Sequence, residues 1–160
     1  MSENNTTNYS QSVAGVVIKD GKVLLARHTY GNGTGRLIIP GGFVEAGETP
    51  QQTLKREFLE ETGIVVEPRK LVGIRFNAAN WYAVFTAEHI SGEPVSDHNE
   101  NSEVVWMDAA EIMEREDVPD LTKVLVRCAL NEDSALELLP YENTSRHGPG
   151  YLYGTPETGK

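Results

Sequence analysis

A chain of 160 residues and 17.6 kDa with 39% hydrophobic residues is large enough for one domain with a real core, and no apolar run in it approaches the length needed to cross a bilayer. Its formal net charge of −10 argues against a polyanion-binding surface such as a duplex-DNA groove, so a phosphate-bearing ligand would have to be drawn in by local cations. The single cysteine, Cys128, can form no internal disulfide, which fits a reducing cytoplasm.

Residues 1–11 are polar, Asn/Thr/Ser-rich and without the apolar segment of a secretory leader, and they read as a loosely tethered arm. Residues 13–19 (VAGVVIK) are nearly continuous in apolar character, the pattern of a strand buried on both faces. Asp20-Gly21 is a two-residue hairpin signal leading into a second strand at 22–26. Arg27 and His28 end that strand beside a loop, 30–35, that holds three glycines and is shaped to move or to fit around a ligand. A short strand at 36–40 delivers the chain to Gly41-Gly42, where paired glycines permit a sharp turn and a close approach of backbone to an ion or ligand.

Residues 42–64 (GFVEAGETPQQTLKREFLEETGI) concentrate the chemistry. Thr49 is a good N-cap, Pro50 suits the first helical position, and Gln52 completes a capping box, so a helix is predicted from Pro50 to about Thr62. Gly63 ends it in the left-handed conformation. Glu57, Glu60 and Glu61 then share one face at i, i+3 and i+4, beside an apolar stripe of Leu54 and Phe58. Three carboxylates so placed repel one another, and a cation is their natural partner; an all-oxygen cluster suits Mg²⁺ or Mn²⁺ better than zinc. A merely solvated acidic face would leave the ordered glycines and Arg56 without a role. Taken by itself, Arg56 pairs with Glu60 at i+4 on the surface.

Strands are predicted at 64–66, 71–76 and 82–89, with turns at 67–68 and 77–80. The polar loop 91–101, with Gly92, Pro94 and several acids, is the candidate lid. Residues 103–107 resume a strand with Trp106 as a core anchor, and Asp108 caps a short helix at 109–114. Asp120 caps a last helix at 121–131, whose Leu121, Val124, Leu125, Cys128 and Ala129 form an amphipathic face. The 29 residues of 132–160, with three prolines, four glycines and three tyrosines, lie outside the core: a surface strap, or an arm whose Tyr141, Tyr151 or Tyr153 reaches a neighbour or a bound base. Strands before and after a central helix, with a final helix packed back, give an α/β fold with a mixed sheet.

The order Gly42, five residues, Glu48, seven residues, Arg56-Glu57, an apolar residue, any residue, Glu60-Glu61, any residue, Gly63, an apolar residue resembles the complete signature of the Nudix hydrolases, with Phe58 standing where an aliphatic residue is commoner. The resemblance implies a Nudix-type α/β/α sandwich over 12–131, between the arm at 1–11 and the tail at 132–160. It implies that Glu57, Glu60, Glu61 and the Gly41 carbonyl hold Mg²⁺ or Mn²⁺, that Arg56 holds the carboxylates, and that water attacks one phosphorus of a P–O–P bridge while a carboxylate takes the proton. That base is a signature glutamate in some members and a loop glutamate in others; here the loop offers Glu100 and Glu103, of which Glu100 is the better choice because Glu103 begins a strand. Glu48 is structural, at a helix N-terminus that favours its charge.

Arg27, Arg36 and Arg75 are the cations nearest the expected pocket. Tyr82, with Trp81, either stacks on a base or belongs to the core. His28, His89 and His98 show no ligand spacing, and only His28 is placed to touch a phosphate. The expected substrate is a small nucleoside diphosphate linked to another group, ADP-ribose or a related nucleotide sugar, with nucleoside triphosphates as the alternative. RNA caps and other nucleic acids fit less well with this charge. A ligand sensor is the reading of another class, although sensors of this type have lost signature residues and this chain has not. Homodimers are frequent among the proteins it resembles.

Overall fold

The computed structural model describes residues 9–144 and 146–156. The first eight residues of the expected arm therefore lie outside the described residues, and Ser10 and Gln11 belong to the first strand, β1 (Ser10–Lys19). The remaining elements are β2 (Lys22–His28), β3 (Leu37–Ile38), β4 (Gly41–Phe43), α1 (Pro50–Thr62), β5 (Val65–Phe76), β6 (Asn80–Ser91), β7 (Asn101–Asp108), α2 (Ala109–Glu114), α3 (Asp120–Leu130), β8 (Glu137–Leu139) and β9 (Leu152–Gly154).

β1 organises a mixed sheet of order β3-β2-β1-β6-β5, with β4 also on β1 and β7 on β2. It runs parallel to β6 and antiparallel to β2 and β4. Its unbroken apolar run is explained by what covers it. Val13 and Val17 pack with Leu54 and Phe58 of α1, while Ala14 and Val16 pack with Leu125, Val126 and Ala129 of α3. A strand covered on both faces needs apolar side chains at every position rather than at alternate ones. Helices thus cover both faces of the sheet, giving the expected α/β/α sandwich. The Asp20-Gly21 turn has both residues at positive φ, 52° and 77°, as a tight hairpin requires.

Helix α1 has the predicted ends. Thr49 accepts from the Gln52 backbone and the Gln52 side chain accepts from the Thr49 backbone, and Gly63 closes the helix at φ 74°.

Three local expectations are corrected. No turn separates 64–66 from 71–76: β5 runs through Pro68, accommodated by register shifts on an edge strand where a missing N–H costs little. Helix α3 starts at Asp120, with Pro119 as the cap, and buries Thr122, Leu125, Val126 and Ala129 while Leu121 and Val124 stay exposed. The apolar stripe was displaced because two overlapping i, i+3, i+4 patterns exist and Thr122, not Leu121, faces the sheet. Trp106 is only half-buried, at the rim of the α1-side cluster and edge-on to His89.

The segment after α3 carries structure of its own. β8 and β9 pair as an antiparallel hairpin, Leu136 exchanges backbone hydrogen bonds with Leu71, and Tyr153 meets Phe85 edge-to-face at 5.4 Å while its hydroxyl accepts from Gln51.

Candidate active site

The backbone first makes room for the acids. β4 lies so close to α1 that a Cβ on Gly42 would sit 2.3 Å from the Glu57 carboxyl carbon, and one on Gly41 would sit 2.0 Å from the Val13 carbonyl oxygen. Both glycines are thus required by contact: Gly41 by the neighbouring strand, Gly42 by the carboxylate.

Glu57, Glu61 and Glu100 each offer an oxygen within 4.8 Å of the others. Two come from successive turns of α1, and the third from the loop between β6 and β7. Glu61 is 5% exposed. Burial, with Glu57 and Glu100 beside it, pushes its carboxyl up to about 9. Glu57 is also raised, first by burial and against the pull of Arg56. In the absence of a cation, then, Glu61 holds its proton at neutral pH. Three converging, partly buried carboxyl groups fit a hard divalent cation, which would restore their charged form, and the all-oxygen donor set suits Mg²⁺ or Mn²⁺.

Glu60 stands outside the cluster. Its side chain is 60% exposed and its partner is Arg56, at 3.3 Å. The helix turns 100° per residue, so Glu61 comes back under Glu57 on the inner flank while Glu60 falls on the outer one. Gly41 pairs with Ala14 in the ladder, one residue from the glycine that Glu57 packs against.

Arg56 joins the surrounding acids. Its Nε donates to Glu48 at 2.7 Å, Nη2 to the other Glu48 oxygen at 2.9 Å, and Nη1 to Glu57 at 2.9 Å. Glu48 accepts in addition from the Glu45 N–H and the Thr53 hydroxyl. Held chiefly by Arg56, the Glu48 carboxyl falls to about 2. Both readings of Arg56 therefore apply, since it pairs with Glu60 and also orients Glu57.

The other expected residues divide. Arg27 is committed internally, donating to Glu103 at 3.0 Å, Asp117 at 3.1 Å and the Gly35 carbonyl at 2.7 Å. These contacts commit Arg27 to its own sheet and loops rather than to the pocket it was expected to line, and they give Glu103 a structural role. Arg36 reaches only the Glu116 carbonyl, at 3.4 Å. Arg75 and Tyr82 do come together. The guanidinium lies 5.6 Å from the ring centroid and donates to Asn80 at 2.7 Å, while its Nε is buried without a hydrogen-bond partner among the described residues. The registers Phe43↔Ser12, Ser12↔Tyr82 and Tyr82↔Arg75 set these four residues in one cross-strand row. Burial raises the Tyr82 hydroxyl.

Sequence reasoning missed Tyr30. Its ring stacks on His28 at 5.8 Å, and its hydroxyl is raised by burial and then by the charges of Glu100, Glu61, Glu57 and Asp97. The signal was its position at the head of the glycine-rich loop. His28 is held below its ordinary range by burial, against Glu100 and Asp97.

Comparison with known proteins gives the same frame. The NUDIX domain model matches residues 9–128. A MutT-like protein of Streptomyces ambofaciens is 39% identical over 109 residues, covering 67% of this chain and 69% of that one. The NAD-capped RNA hydrolase NudC of Photobacterium profundum is 39% identical over 103 residues, 60% of this chain and 36% of that one. An ADP-ribose pyrophosphatase of Methanocaldococcus jannaschii is 40% identical over 63 residues, 39% of this chain and 37% of that one. This chain thus matches little more than a third of the length of the last two. Among solved structures, a NUDIX hydrolase from Nitrosomonas europaea superposes with a TM-score of 0.72 at 25% identity, covering 86% of this chain and 99% of that one. The carboxylate-bearing helix, the sandwich that presents it and the extent of these matches agree that the chain belongs to the Nudix hydrolase family.

Proposed function

We propose that the protein hydrolyses the phosphoanhydride bond of a nucleoside diphosphate linked to another group, with ADP-ribose or a related nucleotide sugar as the preferred substrate. The observation that carries the reading is the convergence of Glu57, Glu61 and Glu100 within 4.8 Å, two of them raised by burial. Mg²⁺ or Mn²⁺ held there by Glu57 and Glu61, with Glu60 and the Gly41 carbonyl at its margin, would neutralise charge building on the diphosphate oxygens.

The chain's own residues do the rest. Arg56 keeps Glu57 in register and is itself fixed by Glu48. Glu100 accepts the proton of the attacking water; the new P–O bond forms as the bridging P–O bond breaks, leaving AMP and ribose 5-phosphate from ADP-ribose. Arg75 and Tyr82 supply a cation and an aromatic face for the nucleoside end, in the row that ends at Phe43, next in the chain to Gly42. The ADP-ribose pyrophosphatase relative supports this substrate class. The second reading is a nucleoside triphosphate split into a monophosphate and pyrophosphate. We place the activity among small molecules, in keeping with the net charge of −10.

The test is product identification after incubation with Mg²⁺ or Mn²⁺ and ADP-ribose, other nucleotide sugars, NAD, NAD-capped RNA and nucleoside triphosphates, with Glu61→Gln as control. AMP from ADP-ribose is expected. Pyrophosphate from a triphosphate alone would favour the second reading, and ligand binding without product would favour a sensor.

A further inference from the structure

The loop that brings Glu100 to α1 is built more firmly than an exposed connection needs to be. One oxygen of Asp97 accepts three successive backbone N–H groups, from Asn99 at 2.9 Å, Glu100 at 3.0 Å and Asn101 at 3.0 Å. Thr29, the residue after β2, grips the same stretch, its N–H donating to the Glu100 carbonyl and its hydroxyl to the Asn99 carbonyl. Ser96 donates to the Asn101 carbonyl and accepts from the His98 N–H, and His98 is held at φ 54°, where a non-glycine residue is uncommon. From this frame Asn101, 2% exposed, donates its side-chain N–H to the Glu61 backbone carbonyl at 2.9 Å. One amide therefore ties the residue after Glu100 to Glu61 itself.

We propose that Asp97 and Asn101 are positioning residues that fix the 96–101 loop so that the Glu100 carboxylate is held against Glu57 and Glu61; this rests on the reading of those three as the hydrolytic centre. Two features argue for it. The side-chain amide oxygen of Asn101 is buried with no hydrogen-bond partner among the described residues, so this amide is kept at a desolvation cost that an apolar side chain would avoid. And the Asp97 contacts all fall on the N–H groups around Glu100, so removing them frees that residue before any other. The competing role is a plain C-cap for α1, since Val95 N–H also closes onto the Thr62 carbonyl. Capping alone would affect stability and leave the metal and kinetic behaviour of Glu100 untouched.

The experiment measures Mn²⁺ affinity by electron paramagnetic resonance on the full chain, kcat and KM on the fastest substrate of the panel above, and Tm. The variants are Asp97→Ala, Asp97→Asn, which keeps the accepting oxygen, Asn101→Leu, which keeps volume and removes the donor, and Glu100→Gln. Asp97→Ala and Asn101→Leu are expected to weaken Mn²⁺ binding about fivefold or more and to lower kcat about tenfold or more, with KM within about threefold. Asp97→Asn should restore both to within about threefold of wild type. Added to Glu100→Gln, Asp97→Ala should lower kcat by less than about twofold, because the residue it positions is already disabled. Wild-type Mn²⁺ affinity and kcat in Asp97→Ala, or its full penalty persisting on Glu100→Gln, would overturn the proposal alone. A wild-type protein that neither binds Mn²⁺ nor turns over any panel member would overturn the hydrolase reading and this proposal together.

Discussion

At the scale of single residues, neighbours separate by where the helix and strand aim them. Glu61→Gln should cost activity by about a thousandfold or more, whereas Glu60→Gln, on the exposed outer flank, should cost about tenfold or less. Equal losses in steady-state assays would put Glu60 in the centre after all. Adjacent glycines should part in the same way. Gly41→Ala drives a Cβ into the Val13 carbonyl and should destabilise the fold by about 3 kcal/mol or more, while Gly42→Ala meets the movable end of Glu57 and should spare Tm but abolish activity. Parallel thermal melts and assays decide it. The raised Glu61 carboxyl also sets a pH dependence. The folded, metal-free protein keeps that proton up to about 9, whereas the unfolded chain releases it near 4.5. The unfolded state thus binds fewer protons at this site between those values, so the stability that Glu61 contributes is fully present below 4.5 and is lost as pH rises toward 9. Glu61→Gln should flatten that slope and raise metal-free Tm at pH 8 by a few degrees, about 1–2 kcal/mol. A lower Tm would show that the charged form is already satisfied without metal.

Among elements, α1 is where local signals and tertiary demands agree, and it was legible to its last residue. Its cap box, Pro50 and Gly63 use backbone chemistry that acts within one turn. The signature reading of Glu57 and Glu61 was legible for the same reason: spacing on one helix decides which groups share a face. Glu100 could be picked from its loop, but its nearness to Glu61 depends on the local turn that Asp97 closes and on the Asn101–Glu61 contact across 40 residues, which no periodicity announces. Arg27 reads as a pocket cation because sequence shows its charge and not the Glu103 and Asp117 that engage it. Helix α3 was misread by one position because adjacent i, i+3, i+4 patterns differ only in which side chain the sheet selects. Arg56 gives this scale its own test. Arg56→Ala should lose about 1–3 kcal/mol, because the partly buried Glu48 and Glu57 would keep their charge without a partner. A melt unchanged from wild type would make the bracket a surface pair.

Over the whole molecule, the sandwich explains why a chain of net charge −10 can collect still more negative charge in one recess. β1 is sealed on both faces, and the acids gather where α1, β4 and the β6–β7 loop meet at its margin. The hairpin of β8 and β9 is joined to this body through Leu71, Phe85 and Gln51. Deleting residues 132–160 should therefore leave a folded, active domain of lower Tm, since Leu71 and Phe85 lose cover worth about 1–3 kcal/mol. Unfolding on truncation would make the hairpin part of the core.

The most direct test of the carboxylate centre is calorimetric titration of the metal-free protein with Mn²⁺ at pH 7.5, in two buffers of different ionisation enthalpy. The structure predicts binding with proton release in the wild type, as Glu61 gives up its proton to the cation, and loss of both in Glu61→Gln. Tight Mn²⁺ binding that Glu61→Gln leaves unchanged would place the metal elsewhere and contradict the account.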